Sequence, residues 1–147
     1  MTPTQRAVDE AAIRQHVDRL VEAVRAKDLE GLKPLYATDI VSFDVEPPLQ
    51  HLGLEAKLKN WATVFTIFQS VTYEVRDLTL TVADDVAFGH CFARLSGTLA
   101  NGTVTSGMWV RGTLCFRKVD GTWPIAHDQA SVPLDIASGR GVTDLQP

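Results

Sequence analysis

At 147 residues, 45% of them hydrophobic, the chain has the length of one ordinary domain and enough apolar material for one core. Its 14 basic and 18 acidic side chains give a formal charge of −4, and neither sign gathers into a run that would track a nucleic-acid backbone or an anionic membrane. No segment approaches the roughly 20 apolar residues that cross a bilayer, so nucleic acid and membrane are not expected as partners.

The opening Met1-Thr2-Pro3 lacks the apolar stretch of a secretory leader, and a cytoplasmic location is the expectation. Thr2 and Pro3 read as the cap and first-turn proline of a helix carried by Ile13, Val17, Leu20, Val21 and Val24 at helical spacing. Asp28 caps a second, short helix bearing Leu29, Leu32, Leu35 and Tyr36, weakened by Gly31 and Pro34. Ile40 to Asp44 reads as a strand that Pro47-Pro48 stops, and a third helix starts near Leu54 with Leu58, Trp61, Phe65 and Phe68 on one stripe.

From Val71 the hydrophobic period becomes two, the pattern of consecutive strands without helices between them. Val71, Tyr73 and Val75 alternate in one phase and Leu78, Leu80 and Val82 in the other, which predicts a bulge near Arg76-Asp77. Asn101-Gly102 and Asp120-Gly121 mark two hairpin turns. The arms of the first hairpin would each span about 45 to 50 Å if flat. A compact chain of this size has a radius of gyration of only about 15 Å, so the sheet must curl. The fold class expected is therefore α+β: three N-terminal helices packed in a strongly curved sheet, a cone enclosing a cavity for a small organic ligand. Residues 1–132 form the domain and 133–147 a tail.

Strand register decides which side chains line that cavity. The Asn101-Gly102 turn pairs Phe92 with Arg111, Arg94 with Trp109 and His90 with Thr113. For the last hairpin, a two-residue turn places His127 opposite Leu114, and a three-residue turn places it opposite Thr113. The latter gathers Phe88, His90, Phe92, Arg94, Trp109, Arg111, Thr113, His127, Gln129 and Ser131 on one face, taken as the inner one. The opposite face, with Ala87, Cys91, Ala93, Leu95, Met108, Val110, Leu114, Phe116 and Ala126, is then apolar surplus that a homodimer through the outer sheet face would cover. The inverse assignment, apolar face under the helices, stays open. Cys91 and Cys115 read as buried thiols, the four histidines are too dispersed for a metal site, and no cofactor is expected.

The order of elements, the segment Leu35-Tyr36-Ala37-Thr38-Asp39-Ile40-Val41-Ser42-Phe43-Asp44 and the closing run from Phe116 to His127 resemble the SnoaL-like branch of the NTF2-like superfamily. That branch includes ketosteroid isomerase-like proteins and polyketide cyclases, and the resemblance implies the same helix-filled cone, of mixed or antiparallel sheet. It also implies that Asp44 holds the place of the isomerases' general base. Their oxyanion-hole tyrosine corresponds to about Leu20, and their second aspartate has no clear counterpart, with Thr113 near that place. Relatives often carry an arginine and a histidine on the last two strands, which Arg111 and His127 match.

The candidate catalytic residues are thus Asp44, Arg111 and His127. Asp44 would move a proton beside a carbonyl while the other two hold the developing oxyanion. Tyr36, Trp61, His90, Trp109 and Gln129 are the candidate pocket residues. A non-catalytic binding or dimerisation module is the alternative. A water-activating hydrolase would need a second inward acid, which the strand pattern does not single out.

Overall fold

The computed structural model describes residues 1–147. Thr2 Oγ1 accepts from the Gln5 amide at 3.0 Å and opens helix α1, Pro3–Arg25. Asp28 caps α2, Leu29–Leu32, through the Gly31 amide at 2.9 Å, and a single 3₁₀ turn leads into strand β1, Tyr36–Phe43. The short β2, His51–Leu52, precedes α3, Leu54–Ile67. Thereafter the chain is all strand: β3 Phe68–Val82, β4 Val86–Leu99, β5 Val104–Thr105, β6 Trp109–Arg117 and β7 Ile125–Ser131. A small hairpin of β8, Leu134–Asp135, and β9, Arg140–Gly141, belongs to the tail. No helix is long and apolar enough to cross a membrane.

The main sheet runs β2-β1-β7-β6-β4-β3, with β5 beside β4. It is mixed: β1 lies parallel to β7, and the other pairs are antiparallel. Its concave side wraps the helices around a core that includes Ile13, Val24, Leu32, Ile40, Phe116, Trp123 and Ile125, each at most 2% exposed. The bulge in β3 is where the phase slip places it: pairing shifts between Arg76 and Thr79, and Asp77 takes a φ of 59°.

The expected β4/β6 pairs form, Phe92 with Arg111, Arg94 with Trp109 and His90 with Thr113. The β6/β7 hairpin follows neither register considered. Asp120 and Gly121 have φ of 50° and 76° between bridged Val119 and Thr122, a two-residue turn of the primed kind. The register then shifts by one between Phe116 and Cys115, so His127 stands opposite Cys115 and Gln129 opposite Thr113. The irregularity restores the face parity that the turn alone would have reversed.

The two faces are the reverse of the assignment favoured from sequence. Ala87, Gly89, Cys91 and Ala93 are buried on the concave side, with Val110, Gly112, Leu114 and Phe116 across from them. His90, Arg111 and Gln129 are exposed on the convex side, and Phe88 is 51% exposed. Curvature is the cause, because side chains converge on the inside of a curl and diverge on the outside. A Cβ at Gly89 would come 2.7 Å from Leu80 Cδ2, and one at Gly112 would come 3.2 Å from Cys91 Sγ. With the small apolar face inside, the surplus that argued for a homodimer is already covered by helices.

Candidate functional site

Between the concave sheet face, α1 and α3 lies a cavity of about 380 Å³, inside the range of small-molecule sites. Its walls are apolar, with Val17, Leu20, Phe68, Tyr73, Val110 and Leu114 among them. Polar groups gather at one end.

Strand alternation along β1 turns Ser42 and Asp44 to this side, and the parallel pairing sets Ser42 directly beside Asp128 of β7. Helical spacing on α3 aligns Lys57 and Trp61, and Asn60 sits one residue from that stripe. The deep end consists of Lys57, Asp128, Ser42, Tyr36 and Trp61. Lys57 Nζ lies 2.8 Å from Asp128 Oδ2 and donates to Ser42 Oγ at 3.1 Å, while the Ser42 hydroxyl donates to Asp128 Oδ1. Ser42 is 1% exposed and Lys57 7%, so this ion pair is buried, with the Ser42 hydroxyl bridging its two members.

Trp61 Nε1 donates to the Tyr36 hydroxyl at 2.8 Å. Burial, then the Asp128 charge, hold the Tyr36 phenol well above its ordinary ionisation range, against the smaller opposing effect of the Trp61 bond. Tyr36 is therefore a neutral donor whose own proton has no protein acceptor. Asp44 also raises the Tyr36 value, which puts both carboxylates within electrostatic reach of one hydroxyl. Burial likewise raises Tyr73, and it pushes the cavity thiol of Cys91 up to about 11, an inert group at neutral pH. Asp44 stands just past the end of β1, half-buried nearer the rim, with Oδ1 accepting from the Val45 amide at 2.7 Å and Oδ2 from Asn60 Nδ2 at 2.7 Å.

Three of the expected site residues, Asp44, Tyr36 and Trp61, thus meet at the cavity. The others do not. Arg111 is exposed on the convex side, bonded through Nε to Ser131 Oγ at 3.2 Å. His127 bonds the Val41 carbonyl through Nδ1 at 2.6 Å and packs edge-on against Phe43. Trp109 is buried, but between the guanidinium groups of Arg76 and Arg94, each 4.6 Å from its ring, with Nε1 on Gln146. His90 is exposed, and Gln129 borders the cavity wall between inward Asp128 and Ala130, its main-chain carbonyl toward Gly112, but is itself exposed. All five lie on the reversed face.

Sequence reasoning missed Lys57, Asp128, Ser42 and Asn60. Lys57 had left a signal, a lysine four residues before Trp61 and eight before Phe65 on a buried stripe. Asp128 had left one too: once His127 is turned outward, its neighbour must point in and supplies the second inward acid.

A family profile described as a SnoaL-like domain matches residues 13–135. Among solved structures, an NTF2-like protein of unknown function from Pseudomonas putida KT2440 is 30% identical, with a TM-score of 0.85, over 96% of this chain and 98% of that one. An NTF2-like superfamily protein from Salmonella enterica serovar Typhimurium LT2 is 17% identical at a TM-score of 0.80, covering 92% and 99% of the two chains. A Streptomyces avermitilis protein of the NTF2-like family, provisionally assigned as a dehydratase, is 19% identical at 0.77, covering 88% and 99%. No curated protein matches the chain.

Proposed function

Because this chain belongs to the SnoaL-like family, we propose that it is a cofactor-independent acid/base enzyme of isomerase, cyclase or dehydratase type acting on a hydrophobic carbonyl compound. The observation that carries this reading is that Asp44 and Tyr36 line one apolar cavity. Asp44 removes a proton from the carbon next to the carbonyl, and the electron pair of that C–H bond moves onto the carbonyl oxygen. Tyr36 donates its unused proton as a hydrogen bond to the forming oxyanion, taking the role expected of Arg111 and His127. The proton then returns from Asp44 to a different carbon, or the enolate expels a β-hydroxyl that takes the proton and leaves as water. The provisional dehydratase assignment of the Streptomyces avermitilis relative fits the second outcome. A positioned base contributes about 10²–10⁴ in rate, and one oxyanion donor about 10²–10³.

Exchange of the α-protons of β-tetralone in deuterium oxide, followed by proton NMR, tests the step without knowledge of the natural substrate. Wild type should exceed the buffer rate, Asp44→Asn should fall back to it, and Tyr36→Phe should lose about 10²-fold. Equal rates for wild type and Asp44→Asn would remove the mechanism. A second reading, a non-catalytic ligand-binding module, draws support from the hydrogen bonds that already engage both Asp44 oxygens. It predicts tetralone binding with no exchange above buffer. A cytoplasmic location belongs to either reading.

A further inference from the structure

The polar knot at the deep end holds more than the proton transfer above uses. Lys57 occupies a buried stripe position of α3, where an aliphatic side chain would pack without the desolvation cost of a charge. Its ammonium carries three donors, and Asp128 and Ser42 take two. The third N–H and the Tyr36 O–H have no acceptor in the protein. Nζ lies 5.4 Å from the Tyr36 ring centroid and 5.7 Å from that of Trp61, so ammonium and phenol serve the same end of the cavity.

We propose that Lys57 and Tyr36 form a two-donor cradle for a single ligand oxygen, and that the cavity selects uncharged, ring-sized enolisable ketones or phenols whose oxyanion it stabilises. Asp128 and Ser42 act as positioning residues that aim the ammonium. The proposal rests on the proton-transfer reading and names its ligand class. Charge supports the choice of class. Asp128 already balances Lys57, Glu74 holds Arg94, the other cation of the lining, at 3.0 Å, and Asp44 and Glu46 add two more acids. A ligand bearing a permanent carboxylate would add a further negative charge to a site with one buried ammonium. An oxyanion formed by transfer of the ligand's proton to Asp44 leaves the total charge of the cavity unchanged.

Binding of para-nitrophenol, nitrobenzene and para-nitrobenzoate, followed by absorbance, tests the cradle. Bound para-nitrophenol should ionise at least one pH unit below its value in solution, about tenfold in ionisation constant, its proton passing to Asp44. Para-nitrobenzoate should bind about tenfold more weakly than the phenol. Lys57→Met and Tyr36→Phe should each return the phenol toward its solution value while nitrobenzene affinity changes by less than about twofold. Lys57→Met strands Asp128, so the double variant Lys57→Met/Asp128→Leu removes the whole pair and should read the same way. Unshifted phenol ionisation in wild type overturns the cradle, as does an equal loss of phenol and nitrobenzene binding in the variants. Tetralone exchange with an unshifted phenol removes the cradle alone, whereas a shifted phenol without exchange keeps it and removes the proton-transfer reading.

Discussion

His16 and Lys57 are both buried, at 6% and 7% exposure, and meet that burial in opposite ways. Lys57 has Asp128 across a 2.8 Å gap. His16 has only the Leu35 carbonyl, 2.8 Å from Nε2, so its neutral form with a proton on Nε2 is the one that fits. Burial lowers its pKa below the ordinary 6.5, and the nearby Arg19 charge adds to that, against the Leu35 hydrogen bond. The unfolded chain therefore binds a proton at a pH where the folded one does not. Stability from this group is complete above about pH 6.5 and drains as pH falls, by at most about 1.4 kcal/mol per unit. Urea unfolding at about pH 7 and about pH 5 should show that loss in wild type and a flatter dependence in His16→Gln, which keeps a donor for Leu35. Identical slopes would assign the acid sensitivity elsewhere.

At the scale of elements, local chemistry was legible wherever a short motif determines its own geometry. The caps at Thr2 and Asp28, the β3 slip at Asp77 and the Asp120-Gly121 turn stand where the residues say. The register shift between Phe116 and Cys115 carries no comparable residue mark, and it alone decides that His127 and Asp128 keep their parity with β6. Gly107 lies just before β6. At a φ of 69°, its substituted Cβ would stand 1.8 Å from the Leu95 carbonyl oxygen, so the chain entering β6 passes against β4 main chain with room for hydrogen alone. Gly107→Ala should cost more than about 2 kcal/mol in chemical unfolding, a strained φ plus a backbone clash. Alanine at Gly102, which also has positive φ but no atom within 4 Å, should cost less, since strain is its only burden.

For the whole molecule, curvature is the governing quantity. It makes the concave side crowded along β4, which contributes alanine, glycine and cysteine there, while α1, α3 and the neighbouring strands supply the bulk. The convex side carries Phe43 at 39% and Phe88 at 51% exposure amid arginines and histidines. Pairing of two copies through that side remains a proposal, now resting on these aromatic groups instead of an apolar strand face. Light scattering at micromolar concentration should give the mass of two chains, reduced to one by Phe88→Glu. A wild-type monomer would remove the proposal.

The family resemblance pointed to Asp44, whereas periodicity, turn residues and hairpin length sufficed by themselves for the α+β class, the three helices, the curled sheet and the β4/β6 pairings around Phe92 and Arg111. Each follows from neighbours close in sequence or from the limit that compactness puts on an extended arm. The direction of the curl, and with it the inner face, belonged to tertiary structure. A strand pattern is symmetric between its two sides until helices occupy one of them. The meeting of Lys57, Ser42 and Asp128 likewise joins α3, β1 and β7 through a parallel pairing 86 residues apart in sequence, which no local motif records.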